Sequence, residues 1–383
     1  MVRTFSFVLI ISLLWVSSRA QESFQKDGYQ FTIESRVNCT SIKNQQRTGT
    51  CWSFSAVSFL ESEVLRNGGV QHDLSDMYSV WHTYMKKAEK YLRYHGKSNF
   101  SEGSLGHDVI NVYEEYGMVP EAVFDGKAEG VSVFNHSELV KELKAYLDEV
   151  LDNPPIPADW KDKVSAILDK HMEPLPNSFT YQGESYTPRS FADQVLGLNT
   201  DDYISLTSFT HHPYFQAFVL EVPDNFSDGK FYNLPLDALI AVTDQALRNG
   251  FSIEWDGDVS EKGFAARQGL AIYPEKEWSE MTEEEKKMAF RQPVPQKEVT
   301  PESRQAAFDA HLMTDDHLMH VVGIAKDQKG GKYYIIKNSW GSKGMGFDEG
   351  FVYVSEAYFK RNTVSIMVHK DALPPLIQKK LLK

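Results

Sequence analysis

Residues Asp315 to Gly341 read DDHLMHVVGIAKDQKGGKYYIIKNSWG. Two runs rich in Val, Ile and aromatic residues, His320 to Ala325 and Tyr333 to Lys337, flank a turn at Gly330-Gly331, which predicts an antiparallel hairpin. With the turn centred near Lys329, the midpoint of positions 320 and 338, His320 and Asn338 fall opposite each other within side-chain reach. An imidazole that accepts a proton through one nitrogen needs a partner on the other nitrogen to fix its tautomer, and an Asn carbonyl supplies it. Trp340 is then expected to cover that hydrogen bond from water. His317 lies in the same stretch, but only His320 opens a strand whose partner ends in Asn-Ser-Trp-Gly, so His320 is the expected base.

Two further strands, Phe351 to Val354 and Val364 to Val368, follow the hairpin. Upstream the chain reads as helical. The periodicity and stop signals predict helices over Cys51 to Arg66, Leu74 to Tyr94, Asp108 to Tyr116, Ser137 to Leu151, Asp159 to His171, Pro188 to Leu196 and Pro235 to Asn249. Thr187 caps one of them, and Thr282 with Glu285 forms a capping box for a short additional helix. Helices first and strands last argue for an α+β architecture, a helical lobe facing a β lobe.

Cys51 opens the first of these helices, directly after QQRTGT. A helix start is where backbone N–H groups and the dipole favour a thiolate, so Cys51 is the candidate nucleophile. Cys39 is the only other cysteine. A bridge between the two would consume the nucleophile and stands as the rival reading.

The formal charge is −13, from 40 Lys and Arg against 53 Asp and Glu, and becomes −15 without Arg3 and Arg19. The acidic residues are spread along the chain, which argues against a nucleic-acid partner. Residues 1–20 combine an early arginine, an apolar run from Phe5 to Val16, and Ser18 and Ala20 before a cut, the pattern of a signal peptide. That run is shorter than the roughly 20 residues of a membrane span. The expectation is a secreted or periplasmic protein, cleaved after Ala20, with no membrane partner. His211-His212 and His317-x-x-His320 lack the remaining ligands of a zinc site, and Asp256 to Asp258 lacks an EF-hand loop, so neither metal nor cofactor is expected.

Together these segments resemble the papain-like cysteine peptidases, in which a Gln stands six residues before Cys-Trp and the Asn lies in Asn-Ser-Trp-Gly. Here that Gln is Gln45. Gln-x-x-Thr-Gly-x-Cys-Trp, with Thr48 three positions before the nucleophile, resembles the bleomycin hydrolase and aminopeptidase C branch. So do DLSDMYSVW from Asp73, HDVINVYEEYGMVPEAVF from His107, FYNLPLDALI from Phe231 and IEWDGDVSEKGF from Ile253. His320 lies 269 residues after Cys51, against about 130 to 150 in papain-type enzymes. The resemblance therefore implies a two-lobed papain-like fold with a large, mainly helical insertion over roughly 121–300.

The resemblance further implies peptide hydrolysis through a Cys51 acyl-enzyme, aminopeptidase action, and an oxyanion hole made by the Gln45 amide and the Cys51 N–H. Gly103, followed by Ser104 where a Gly-Gly pair is common, and Trp340 are the implied substrate-binding residues. The arm from Leu373 to Lys383 is expected in the cleft, its Lys383 carboxylate meeting the substrate's amino group. Peptides are the implied partners, and a homo-oligomer is implied by larger ring-forming relatives. Three departures stand out: the export signal, the single Gly103, and an end soon after LPPLIQKKLLK. An endopeptidase of the same chemistry and a non-catalytic secreted binding protein are the alternatives.

Overall fold

The strand His317–Lys326 organises the molecule, and all of its residues but the last are buried. A run covered on both faces reads as continuously apolar rather than alternating, as HLMHVVGIAK does. One edge pairs with Lys332–Lys337 along its whole length. The other edge is shared: residues 317–321 pair with Ile253–Gly257, and residues 323–326 with Tyr29–Arg36. The computed structural model describes residues 23–26 and 28–382. The mixed sheet runs in the order Ala217–Val219, Lys230–Asn233, Tyr203–Thr207, Thr363–His369, Ile253–Gly257, His317–Lys326, Lys332–Lys337, Phe351–Ser355, Leu270–Ala271 and Phe264–Ala265.

Against one face of this hub lies the helix Cys51–Arg66, buried from Cys51 to Val64. It carries almost no polar stripe because Asp76–Arg93, Gly106–Tyr116, Ser137–Asp152 and Trp160–Met172 complete a helical lobe around it, with Trp52, Phe59, Tyr84, Leu143 and Leu168 in one core. Ser75 starts the second helix by accepting from the Tyr78 N–H at 3.0 Å. A second core, with Leu239, Leu247, Trp255 and Tyr334, joins the helix Leu236–Arg248 to the sheet. A third gathers Tyr29, Phe31, Tyr333 and Tyr353. The α+β division into a helical lobe and a sheet lobe is the papain-like arrangement that the motifs implied.

Three details differ from expectation. The region 121–300 holds helices but also sends Tyr203–Thr207, Lys230–Asn233 and Ile253–Gly257 into the main sheet. All five residues of IEWDG are buried, so no polar and apolar alternation announces that strand.

The hairpin keeps the predicted centre only from Lys326↔Lys332 to Gly323↔Ile335. A bulge between Val321 and Gly323 then slips the register by one, so that His320 stands opposite Lys337 and not Asn338. Gly323 permits the distortion's close contact, since a Cβ there would lie 2.5 Å from the Ser35 carbonyl oxygen.

Among the described residues, the C-terminal arm does not line the cleft expected to hold it. Pro375–Leu381 is a helix whose Ile377 and Leu381, one turn apart, join the core of Leu239, Ile240 and Leu247. The two prolines start this helix rather than stiffen an extended strap. Residues 1–20 and Lys383 lie outside the described residues. Among the described residues, no helix is long and apolar enough to cross a membrane.

Candidate active site

The turn before Cys51 is tied to the Asn-Ser-Trp-Gly segment by main-chain bonds. Gln45 N donates to Ser339 O at 2.9 Å, Gly341 N to Lys43 O at 3.0 Å, and Asn44 bridges to Trp340. The Gln45 side chain is fixed at both ends: Nε2 donates to Thr48 O at 2.7 Å, and Oε1 accepts from Ser339 Oγ at 2.6 Å. Gly49 N donates to Glu102 Oε2 at 2.6 Å and Trp52 Nε1 to Glu102 O at 3.1 Å, which pins the helix start against the opposite wall. Gln45, Cys51, Gly103, Trp340 and His317 all line one cleft of about 690 Å³. His320 is not among its lining residues.

His317 is the histidine that meets Asn338. Its Nε2 lies 2.9 Å from Asn338 Oδ1, and that oxygen also accepts the Ser339 N–H at 2.7 Å. A carbonyl oxygen has no proton to give, so His317 carries its proton on Nε2 and keeps a lone pair on Nδ1. The Trp340 indole stacks on the ring at 4.7 Å and 28°. The pairing expected of His320 with Asn338 under Trp340 is therefore made by His317.

His320 sits three residues away, on the opposite face of the strand, and is fully buried. Its Nδ1 lies 2.9 Å from Ser58 Oγ on the Cys51 helix. Lys337 Nζ donates to the same hydroxyl at 2.7 Å and to Thr40 Oγ1 at 2.9 Å, and Thr40 in turn donates to Glu61. Ammonium groups only donate, so Ser58 Oγ accepts from Lys337 and keeps its own proton to give to His320 Nδ1. Burial, helped by the Lys337 charge, pushes its pKa well below the ordinary histidine value.

Burial disfavours either charge of a catalytic pair taken singly. It pushes the Cys51 thiol up to about 12, against the pull of the Leu318 backbone hydrogen bond and with the push of Asp315, Asp224 and Asp256. It pushes His317 down to about 4, against the Asn338 hydrogen bond and the Asp316 charge. Helix position alone therefore does not make Cys51 a thiolate. Proton transfer to His317 creates both charges together, each neutralising the other. Cys39 and Cys51 are both free thiols, so no bridge between them is present.

The acidic character of the cleft is the feature that sequence reasoning missed. Asp224, Asp315 and Asp316 line it, and Asp315 rests against the buried Asp256. Among the described residues, Asp224, Asp256 and Asp315 form no ion pair. Burial and mutual repulsion raise Asp315 to about 7 and Glu254 to about 8. The available signal was IEWDG itself, where acids alternate with Ile, Trp and Gly in a strand-like run. Gly103 leaves room for this acid, because a Cβ would lie 1.8 Å from Asp224 Oδ2 and the carboxylate would have to move.

The Papain family cysteine protease model matches residues 30–80, and the Peptidase C1-like family model matches residues 173–383. Aminopeptidase C of Streptococcus thermophilus is 21% identical over 410 residues, covering 93% of this chain and 86% of that protein. Aminopeptidase G of Lactobacillus delbrueckii subsp. lactis is 23% identical, covering 87% and 82%. The crystal structure of PepW from Lactobacillus rhamnosis HN001 superposes with a TM-score of 0.72 at 20% identity, covering 92% of this chain and 84% of that one. With a family model spanning more than half of its 383 residues, the chain belongs to the Peptidase C1-like family and is a cysteine-type peptidase.

Proposed function

We propose that the protein is an aminopeptidase in which Cys51 is the nucleophile, His317 the base, Asn338 the orienting group and Gln45 an oxyanion donor. The observation that carries the site is the His317 Nε2 to Asn338 Oδ1 bond in the cleft that Cys51 lines. Cys51 gives its proton to His317 Nδ1, and the thiolate adds to the scissile carbonyl. The oxyanion is met by the Cys51 N–H and by the Gln45 Nε2 hydrogen not used on Thr48 O. His317 then protonates the departing amine, leaving an acyl-enzyme. Water, deprotonated by the same imidazole, releases the acid.

Removal of single residues from the N-terminus is supported by the relatives named aminopeptidases and by the acidic cleft. A substrate's α-ammonium is the complement of Asp224 and Asp315, and the described part of the C-terminal arm lies elsewhere. The test compares a fluorogenic aminoacyl amide with its N-acetylated twin. The acetylated twin should turn over at least about tenfold more slowly, the worth of roughly 1.4 kcal/mol. Asp315→Asn should narrow that ratio, and a chain cut after Pro374 should keep it. Equal rates on both substrates would make the protein an endopeptidase. An epoxysuccinyl thiol inhibitor should label Cys51, and label found only on Cys39 would overturn the nucleophile.

We also propose export through residues 1–20, supported by their composition. Mature protein beginning at Gln21 is the expected result of N-terminal sequencing, and a retained Met1 would exclude it.

A further inference from the structure

The segment after the strand Tyr203–Thr207 turns two adjacent histidines onto one carboxylate. His211 Nε2 lies 2.8 Å from one Glu221 oxygen, and His212 Nε2 lies 3.3 Å from the other. All three ligand atoms fall within 4.8 Å of one another. The rings are held in this pose from outside: His212 stacks on Phe218 at 4.0 Å, and His211 lies parallel to Phe308 at 5.9 Å and 15°. Beneath them Asn233 accepts the Phe209 N–H at 2.8 Å and donates to the carbonyls of Phe209 and His212, each at 2.8 Å.

Proton accounting singles out a positive centre between the rings and the carboxylate. Gln305 Oε1 accepts the Thr210 N–H at 2.7 Å while its Nε2 donates to Asp309 Oδ1 at 2.8 Å, so the orientation of this amide is fixed. His211 Nδ1, 3.2 Å from that same Oε1, must be the donor. In the neutral ring Nε2 is then a lone pair aimed at a carboxylate oxygen. Two acceptors at 2.8 Å repel unless a second ring proton or a metal ion lies between them. A ligand histidine that donates its other N–H to a fixed carbonyl is the usual outer support of a metal site. Two imidazoles and one carboxylate are a donor set that Zn²⁺ takes, with water in the open position. The two histidine side chains are 30% exposed and Glu221 57%, so water reaches the site.

We propose that His211, His212 and Glu221 form a Zn²⁺ site, with Gln305 fixing the His211 tautomer. Sequence spacing did not show it because the third ligand stands nine residues beyond His212 and reaches the pair only through the fold. The ion would fasten the His211-His212 segment to Glu221, three residues before the cleft residue Asp224.

The experiment titrates Zn²⁺ into the untagged full chain, its thiols alkylated so that Cys51 cannot hold the metal, with calorimetry as the readout. One equivalent should bind to the wild type. His211→Ala, His212→Ala and Glu221→Gln should each abolish that binding, and Gln305→Leu should weaken it roughly tenfold to a hundredfold. X-ray absorption at the zinc edge should report two imidazoles. Absence of saturable binding would mean that His211 and Glu221 form only an imidazolium–carboxylate pair. Undiminished binding in any of the three ligand variants would place the ion elsewhere. Either outcome overturns the site.

Discussion

His317 and His320 belong to one strand, are both buried, and differ in what stands against one ring nitrogen. For His317 it is Asn338 Oδ1, an acceptor that fixes the proton on Nε2 and leaves Nδ1 basic beside the cleft. For His320 it is Ser58 Oγ, a hydroxyl that accepts from Lys337 and has one proton to give to the ring. The first arrangement leaves a ring nitrogen free in the cleft that Cys51 also lines, as the proposed base requires. The second spends the imidazole on holding the Cys51 helix to the sheet. Residue type and burial therefore do not distinguish a base from a structural histidine, whereas the donor or acceptor nature of its partner does.

The comparison breaks most directly at the two rings. His317→Ala should lower kcat by roughly 10² to 10⁴, the worth of general acid–base catalysis, with the melting temperature little changed. His320→Leu should keep kcat per folded molecule within about twofold and lower stability by roughly 1–3 kcal/mol, since the buried Ser58 hydroxyl loses its ring partner. A kcat loss in His320→Leu equal to that in His317→Ala would restore His320 as the base.

Gln45 and Gln46 extend the comparison to the facing wall. Gln45→Ala should lower kcat by roughly 10² to 10³, the usual cost of one oxyanion donor, with KM nearly constant. Gln46 also lines the cleft, but its amide oxygen accepts from the Phe134 N–H, and its backbone is left-handed with φ of 57°. Gln46→Ala should leave kcat unchanged. Equal kcat losses would separate catalysis from the Gln45 geometry.

How far these roles were legible in the sequence depended on the kind of constraint. That Cys51 and Gln45 would line one cleft and Asn338 would hold a histidine was legible because each is fixed by short local spacing, the six residues to Cys-Trp or the Asn-Ser-Trp-Gly turn. The histidine required counting across a hairpin, and counting fails at a bulge. Its signal was Gly323 inside a strand otherwise rich in Val and Ile, a position where a glycine marks distortion or close backbone approach. The helices around Cys51 were legible within a few residues because caps such as Ser75 act locally. The strand Ile253–Gly257 was hidden because its acids face protein rather than water. The arm's placement was expected from the resemblance alone, whereas Leu373, Ile377 and Leu381, spaced four apart, pack as one face into the core.

Those hidden acids give a pH test of the inner face. Glu254 pairs across the sheet with His320, and burial raises its pKa to about 8. A carboxyl whose pKa is higher in the folded than in the unfolded state favours folding below the unfolded value, near 4.5, and that contribution is lost as pH rises through about 8. Glu254→Gln should therefore melt higher than wild type at pH 9, by an amount on the order of a few kcal/mol, and match it near pH 5. A wild type that is stabilised between pH 5 and pH 9 relative to the variant would show that Glu254 is ionised and paired.

The smallest expected change in chemistry comes from Ser58→Ala, which separates the two histidines without touching either ring. Ser58 is the one hydroxyl that joins Lys337 to His320. Its loss leaves His320 Nδ1 buried without a donor, while Lys337 keeps its bond to Thr40. His320 Nε2 already finds no hydrogen-bond partner among the described residues, so the whole ring would then stand unsatisfied. Stability should fall by roughly 1–3 kcal/mol, the cost of one orphaned buried acceptor. The His317 and Asn338 bond lies on the other face of the strand and should not move, so kcat and its pH profile should match wild type. Denaturant midpoints give the first quantity and initial rates on an aminoacyl amide the second. A shifted pH profile with an unchanged midpoint would mean that the inner network tunes the catalytic pair, and the division between the two faces would fail.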